Sequence, residues 1–331
     1  MAGPTAQHCR PLSEVTLNPH TQIIRLARSG SLERAWAMME QHGLLDAVGD
    51  VRSLTLQGRL VKDRAKRASG SERARLFGEA AALYAKAGAV AQGSYPLINA
   101  ASLSLLAGQS GQSRTLAKQV LDALDANPDE AETPYWLGAT RAEALLLLGQ
   151  ETEARAALRE AIRKQPAAWE DHAATLGQFE LLCEELGCDT AWLEQIRPPR
   201  SLHFAGIIHV ADQDVVVQDR IAEWLEAENI GFGYGALAAG ADIWIAEALL
   251  DRGAALHVLL PCDEATFRQQ SVAAFGEQWL PRFDRLMGEA SSVECLDFSQ
   301  GPNPSAVTLA EAVAHGMALH NAQHVRSSTR R

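Results

Sequence analysis

The stretch from Gly231 to Pro261 constrains the fold more than any other part of the chain. Glycines come first, an apolar pattern follows over Ala241–Leu250, and a short apolar run over Ala255–Leu260 ends at the proline. The middle segment has the periodicity of a helix packed on a sheet. The last segment has the composition of a buried parallel strand. We therefore predict a glycine-rich turn, then a helix, then a strand.

The glycines of this predicted turn indicate a binding site. Gly231, Gly233, Gly235 and Gly240 are close together in the sequence, and glycine lets the backbone adopt positive φ and lets other groups approach closely. A loop of this kind before a helix presents N–H groups and the positive end of the helix dipole to an anion. Residues 201–331 contain no Lys, so we expect main-chain amides to hold an anionic ligand without an ammonium group.

Composition excludes several classes of function. The chain has 331 residues, of which 47% are hydrophobic, enough for about two domains with cores. A net charge of −11 argues against a general binder of nucleic acids or anionic membranes. Five scattered cysteines without a C-x-x-C pair are typical of free thiols in a reducing compartment. Without a signal-peptide pattern or an apolar run of about 18 residues, we expect a cytoplasmic protein.

From Thr21 to about Gln195 the sequence favours helices in repeated pairs. The clearest unit runs from Tyr135 to Pro166, with small and large apolar residues on two helices that flank Gly149. Three earlier units show parts of the same pattern. Their matching positions are Leu32, Ala35 and Met39 in the first, Phe77, Ala80, Tyr84 and Ala87 in the second, and Ser104, Ala107, Gly111, Val120, Ala123 and Pro128 in the third. This pattern resembles the tetratricopeptide repeat, and another helical array is the alternative. Such an array supplies a concave surface for a peptide or another domain.

The last third of the chain alternates between predicted strands and helices. We expect a strand at 202–210, a helix at 215–229, a strand at 293–298 and a helix at 307–323, in addition to the elements above. This alternation predicts a parallel sheet covered on both faces. The expected organisation is a flexible leader at 1–19, a helical repeat domain at 20–196, a proline-rich linker at 197–201, a sheet domain at 202–325 and a flexible tail at 326–331.

The sheet segment resembles a known superfamily. The run from Gly235 to Asp242, then Ala246-Glu247-Ala248 and a strand ending at Pro261, is similar to the SLOG superfamily, the Rossmann-like group that includes the Lonely Guy enzymes and DNA-processing protein A. Bacterial tetratricopeptide-repeat proteins with class III adenylate/guanylate cyclase domains carry a similar segment. In those proteins the strand is followed by further residues that have matches in this chain. The matching residues here are Phe267, Ser271-Val272, Trp279 and Arg282-Phe283. The resemblance implies an α + α/β protein, with a tetratricopeptide-like α-solenoid followed by a Rossmann-like parallel-sheet domain.

The chain also departs from that superfamily. Its first strand commonly ends in Gly-His, whereas here Gly206-Ile207 occupies the position and His209 is displaced. The P-G-G-x-G-T-x-x-E motif of Lonely Guy enzymes is absent, so phosphoribohydrolase activity is not supported. Within the 331 residues we expect no cyclase domain. We expect either a regulatory piece of a longer protein or a stand-alone sensor whose effector is a separate chain.

The candidate ligand contacts follow from the rule that parallel sheets bind ligands beyond the carboxyl ends of strands. They are Gly206, Gly233, Gly235, Gly240, Asp242, Glu247, Arg268 and Arg282. Asp242 either caps its helix or binds a ribose hydroxyl. Glu247 either faces solvent or pairs with Arg252. Arg268 and Arg282 either contact an anion or form surface ion pairs.

Catalytic and metal sites have less support. No G-K-[ST] P-loop and no G-x-S-x-G setting is present, and His320 and His324, four residues apart, have no third ligand nearby in sequence. We therefore expect no metal, no catalytic residue and no cofactor other than a nucleotide-type ligand.

We predict a sensor that binds a nucleotide-type ligand through the sheet domain and a protein or peptide through the helical array. Ligand binding is expected to change the packing of the two parts across Pro198-Pro199. The sequence leaves homo-oligomerisation open, and nucleic acid and membranes are not expected as partners. An enzyme that cleaves a nucleotide N-glycosidic bond with Asp242 or Glu247 as acid/base, and a pure interaction scaffold, are the alternatives.

Overall fold

The structure is a computed structural model that describes residues 18–46, 49–91, 93–208, 214–296 and 301–331. Two compact units are present, Met1–Gln165 with Glu184–Gly187, and Pro166–Cys183 with Cys188–Arg331. The second unit thus begins upstream of the linker expected at 197–201. The reason is packing: Trp169 lies in a core cluster with sheet residues, and Arg197 pairs with Glu180 at 2.9 Å.

Within its described residues, the first unit is built from four pairs of helices. These are α1 (Pro19–Arg28), α2 (Leu32–Gln41), α3 (Val51–Ala65), α4 (Gly70–Ala91), α5 (Ser94–Leu106), α6 (Ser110–Ala126), α7 (Pro134–Leu147) and α8 (Glu151–Lys164). Each helix packs on the next, and α1 also contacts α3 while α5 contacts α7. Contacts between the first helices of successive pairs are those of an α-solenoid.

The predicted pattern of small residues explains how close the paired helices lie. A Cβ on Gly138 of α7 would stand 2.7 Å from the Cβ of Ala161 on α8, so only glycine fits at this crossing. Most of the predicted apolar positions are buried, among them Phe77, Tyr84 and Leu158, whereas Ala107 and Ala123 are partly buried. One prediction is wrong: the glycine between α5 and α6 is Gly108, with φ of 78°, whereas Gly111 lies inside α6.

The second unit contains a five-stranded sheet and further helices. The strands are β1 (Arg200–His203), β2 (Ile230–Gly235), β3 (Ala255–Leu260), β4 (Ser292–Cys295) and β5 (Thr329–Arg330). The helices are α9 (Trp169–Leu186), α10 (Ala191–Glu194), α11 (Val215–Ala227), α12 (Ala241–Asp251), α13 (Glu264–Phe267), α14 (Leu280–Glu289) and α15 (Pro304–His324), with a π-helical turn at Arg268–Val272 and 3₁₀ turns at Ala273–Phe275 and Glu277–Trp279. The fold is therefore α + α/β, a tetratricopeptide-like array and a Rossmann-like sheet, as predicted.

All strand pairs are parallel, in the order β4-β3-β2-β1-β5. One face of the sheet is covered by α11, α12 and α14, whose side chains share a core cluster with Leu202 and Leu256. The other face carries Phe232 and Tyr234, which pack with α15 and Trp169. Three layers result, and both faces of the sheet are buried.

The predicted turn at residues 231–235 is wrong, because these residues form β2. Glycine is required at these positions because other parts of the chain pack closely against the strand, not because the backbone turns there. A Cβ on Gly233 would collide with the Leu249 side chain, and one on Gly231 with Pro199. Glycine in a strand marks such a close approach of other groups.

Two other predictions at the ends of elements need correction. The first strand stops at His203, and positions 209–213, including His209, lie outside the described residues. Residues 326–331, expected as a flexible tail, contain β5, in which Arg330 pairs with Leu202 of β1. The Ser327 hydroxyl also donates a hydrogen bond to the Pro198 carbonyl at 2.9 Å.

Helix α15 rests on the sheet through a row of alanines. Every fourth residue of its buried side is Ala, at positions 306, 310, 314, 318 and 322. Such small side chains let the helix backbone lie close to the strands. The Asn321 amide at one end donates a hydrogen bond to the Ser201 hydroxyl of β1 at 3.0 Å.

Candidate functional site

The strand order places the topological switch point beside β1. The connections from β1 through β4 run over one face by way of α11, α12 and α14, whereas α15 crosses the other face and brings β5 to the opposite side of β1. The direction of the connections thus reverses at β1. In open parallel sheets the crevice beyond the carboxyl end of such a strand is the ligand-binding position.

A cavity of about 190 Å³ lies at this edge of the sheet; we call it the small cavity. Three of the eight candidate residues line it together: Gly206, Gly235 and Asp242. His203 and Glu311 contribute further polar side chains. The cavity is lined by two carboxylates and by no Arg or Lys among the described residues. Electrostatically it is therefore an acidic or neutral site, not a cationic one.

Asp242 is the central side chain of the small cavity. It lies in the first turn of α12 and is 7% exposed. Its carboxylate accepts hydrogen bonds from the backbone N–H of Gly206 and, at 3.3 Å, of Ala238. Burial, with a smaller contribution from the charge of Glu311, raises the pKa of Asp242 to about 7, although the two amide hydrogen bonds lower it. At neutral pH the group therefore exists in both protonation states and can either donate or accept a hydrogen bond.

These hydrogen bonds change the interpretation of the predicted anion site. Two of the amides that were expected to face a ligand anion are instead bonded to the Asp242 carboxylate. Asp242 does not cap α12, whose N-cap is Gly240; its carboxylate instead ties the helix to the loop after β1, and it also lines the cavity. Its expected contact with a ribose hydroxyl stays a prediction.

The glycines at this edge allow close approach. A Cβ on Gly206 would stand 2.6 Å from the Cβ of Ala241, and one on Gly235 would stand 2.5 Å from the carbonyl oxygen of Phe204. Gly240 precedes α12 with φ of 108°, a backbone conformation that favours glycine. Gly233 lies within β2 and does not line the small cavity.

The other three candidates lie away from the small cavity and form ion pairs. Glu247 binds Arg282 and, at 3.2 Å, Arg285, rather than Arg252. The Arg282 guanidinium also lies 4.8 Å from the ring centroid of Trp279. Arg268 forms a two-point contact with Asp284 at 2.8 Å. These ion pairs link α14 to α12 and to the π-helical turn at Arg268–Val272.

His203 is a site residue that the ligand-site prediction missed. It is 1% exposed at the end of β1, and neither ring nitrogen has a hydrogen-bond partner among the described residues. Its ring centroid lies 5.5 Å from that of His315. Burial, and then the charges of Arg331 and His315, lower the pKa of His203 to about 4. The signal in the sequence was a histidine within an apolar strand, where an unpartnered polar group is costly.

A second cavity, of about 620 Å³, lies on the α11 side of β1; we call it the large cavity. It shares His203, Phe204 and Ala205 with the lining of the small cavity. Its volume is in the usual range of ligand pockets, roughly 300–1,000 Å³. Its remaining lining consists of Leu202, Val217, Arg220, Ile221, Trp224, Leu225, Ile245 and Arg331.

Two kinds of feature are absent from the described residues. None of their helices is long and apolar enough to span a membrane. None of their His, Cys, Asp and Glu side chains form a group of three that could hold a metal ion. His320 and His324 stack on each other, and His324 Nε2 lies 3.3 Å from a Glu170 carboxylate oxygen.

Comparison with known proteins adds a family similarity for the helical array. A family model described as TPR-S, Tetratricopeptide Repeats-Sensor, matches residues 18–104, which correspond to α1 to α5. No curated protein and no solved structure matches the chain. The match indicates a sensor or protein-interaction role for the array. Over these helices the chain is similar to tetratricopeptide-repeat sensors, and a Rossmann-like parallel-sheet unit follows them.

Proposed function

We propose that the protein is a regulatory sensor, in which the sheet unit binds a nucleotide-type small ligand and the helical array binds a protein or peptide partner. The observation that carries this proposal is the small cavity at the carboxyl edge of β1, where Gly206 and Gly235 make room beside the buried Asp242. The position is the one at which parallel sheets bind ligands.

The charges around the small cavity indicate which part of a nucleotide it would take. Asp242 and Glu311 would repel a phosphate, and the cavity lining offers no cation among the described residues. A carboxylate at this edge of a Rossmann-like sheet is suited to hydrogen-bond a ribose hydroxyl. We therefore propose that the sugar, not the phosphate, lies beside Asp242. The resemblance to the SLOG superfamily supports a nucleotide-type ligand.

The helical array supplies the second half of the proposal. Its match to tetratricopeptide-repeat sensors covers α1 to α5, and the pairing of helices continues through α8. Arrays of this type present extended surfaces to other proteins. We propose that a protein or peptide binds there and that ligand occupancy of the sheet unit regulates this partner.

The test is ligand binding with matched acidic variants. Nucleosides and nucleoside phosphates are screened by thermal shift and confirmed by calorimetry on the wild-type chain, on Asp242→Asn and on Glu247→Gln. Both residues belong to α12, but only Asp242 lines the small cavity. A ligand at 100 times its Kd stabilises the folded state by about 2.7 kcal/mol. We expect binding to the wild type and to Glu247→Gln, and about tenfold weaker binding to Asp242→Asn.

Two results would contradict the proposal. If no nucleoside or nucleotide binds the wild type, an interaction scaffold is the remaining function. If Asp242→Asn binds as tightly as Glu247→Gln, the ligand lies elsewhere.

A second candidate function is cleavage of an N-glycosidic bond with Asp242 as general acid. The observation that favours it is the pKa of Asp242, raised to about 7 by burial, since a general acid works best with a pKa near the operating pH. Glu247 is not available for this role because Arg282 and Arg285 hold it outside the cavity. Release of free base, followed by chromatography, distinguishes this enzyme from a sensor that binds without turnover.

A further inference from the structure

The large cavity has a wall of aliphatic side chains. Leu202 of β1 and Leu225 of α11 are buried, and Ile221 and Ile245 pack against the same core. Trp224 and Val217 line the cavity while remaining 42% and 39% exposed. An exposed Trp beside an aliphatic wall offers a flat apolar surface on which a ring can stack.

The charged side chains that line the large cavity are basic. Arg220 and Arg331 line it, and no acidic side chain does so among the described residues. Arg331 has Glu311 at 4.0 Å, whereas no ion pair of Arg220 is found within the described part of the chain. Arg220 is therefore the cation available to a ligand, and its planar guanidinium suits a carboxylate or phosphate.

The location supports a ligand site independently of the lining. The large cavity opens at the end of β1 between β5 and α11, at the strand where the direction of the connections reverses. This crevice is the common ligand position of open parallel sheets. It lies on the face of the sheet that α11 and α12 cover, opposite the face that carries α15.

We propose that the large cavity binds a flat aromatic or heteroaromatic anion, whose ring lies against Trp224 and whose carboxylate or phosphate is held by Arg220. This site shares His203, Phe204 and Ala205 with the small cavity, but its cationic and aromatic side chains do not line that cavity, and the proposal does not depend on the proposed function. Nucleoside phosphates belong to the same chemical class, so a ligand that reaches both cavities would place its anionic group on the Arg220 side.

The test uses a pair of probes that differ only in charge. Binding of 1-naphthoate and of its neutral analogue 1-naphthamide is measured by saturation-transfer NMR and calorimetry near neutral pH. The variants are Arg220→Gln, Trp224→Ala and, as a control for net charge, Arg114→Gln on α6, an exposed position of the first unit. Circular dichroism establishes that each variant is folded.

We expect 1-naphthoate to bind the wild type and Arg114→Gln alike, and about tenfold more weakly to Arg220→Gln. Naphthamide should bind the wild type about tenfold more weakly than naphthoate and be unaffected by Arg220→Gln. Trp224→Ala should weaken both probes. Equal affinity of naphthoate for Arg220→Gln and Arg114→Gln, equal affinity of the two probes for the wild type, or no binding of naphthoate up to its solubility limit would each overturn the proposal. These probes have no ribose, so their outcome is separate from that of the Asp242 experiment.

Discussion

Replacing His203 by leucine should stabilise the sheet unit. The imidazole is buried at the end of β1, and neither nitrogen has a hydrogen-bond partner among the described residues. An unsatisfied buried polar group costs about 1–3 kcal/mol in protein mutational data. Leucine has a similar volume and no polar atom. We therefore expect His203→Leu to raise the free energy of unfolding by about 1–3 kcal/mol near pH 8.

The gain should increase in acid. The pKa of His203 is lowered to about 4 in the folded protein, mainly by burial, and an unfolded histidine has a pKa of about 6.5. Unfolding therefore takes up a proton between these values, so the wild type loses stability as the pH falls from about 6.5 toward 4. One pKa unit corresponds to about 1.4 kcal/mol, and the loss is about 2 kcal/mol at pH 5. His203→Leu lacks this loss, so its advantage over the wild type should grow by that amount.

The measurement must report on the sheet unit alone, because a chain with two compact units need not unfold in one step. Native-state hydrogen exchange of the amides of β3, a central buried strand, gives the free energy of opening for this unit. Wild type and variant are compared at the same pH, so the intrinsic exchange rates cancel.

His257→Leu is the matched control. His257 is partly buried on the sheet, and its Nδ1 lies 2.8 Å from the Ser292 hydroxyl while its ring stacks on Tyr234 at 4.6 Å. Loss of this hydrogen bond should lower stability by about 0.5–1.5 kcal/mol. The reasoning is refuted if His203→Leu destabilises β3 near pH 8, or if its advantage over the wild type is the same at pH 5 and pH 8.

Further predictions concern Gly235 and Asp242. Gly235→Ala should destabilise the sheet unit by about 1–3 kcal/mol, because the new Cβ would meet the backbone carbonyl of Phe204. Gly316→Ala on α15 should instead stabilise the unit by about 0.5–1 kcal/mol, because no atom lies within 4 Å of the added Cβ. Hydrogen exchange of β3 measures both changes in stability. The pKa of Asp242 is about 7 in the folded protein, against an ordinary value of 3.8. The wild type therefore loses stability as the pH rises from about 4 to 7. Asp242→Asn lacks this loss, so its free energy of unfolding relative to the wild type should rise by about 2–3 kcal/mol between pH 5 and pH 8. A constant difference across that range would show that Asp242 titrates with an ordinary pKa.

The helical array was predictable because its determinants are local. Small residues at the helix crossings and large ones between them, such as Ala161 and Leu158, recur at spacings set by the helix itself. Only the turn glycine of the α5–α6 pair was misplaced, by three residues, since Gly108 and Gly111 both satisfy a local turn pattern.

The candidate site was predicted only in part, because its geometry depends on distant segments. Gly206, Gly235 and Asp242 meet as expected from the parallel-sheet rule. The glycines of β2 were misread as a turn because the groups that crowd them, Pro199 and Leu249, are far away in sequence. Strand order is not encoded in any local pattern, so the position of β5, the switch point at β1 and the large cavity could not be derived from the sequence.

The row of alanines on α15 has a mechanical consequence. The alanine methyl groups repeat at every turn of α15, so a shift of the helix along its axis by one turn replaces each contact with the strands by a similar contact. This packing alone therefore does little to hold α15 at one axial position. The axial position of α15 then depends on directional bonds, such as that between Asn321 and Ser201. Glu311 and Ala314 of the same helix form a wall of the small cavity. We therefore expect a substitution at Asn321 to shift α15 along its axis and so to change the width of a cavity that the Asn321 side chain does not line.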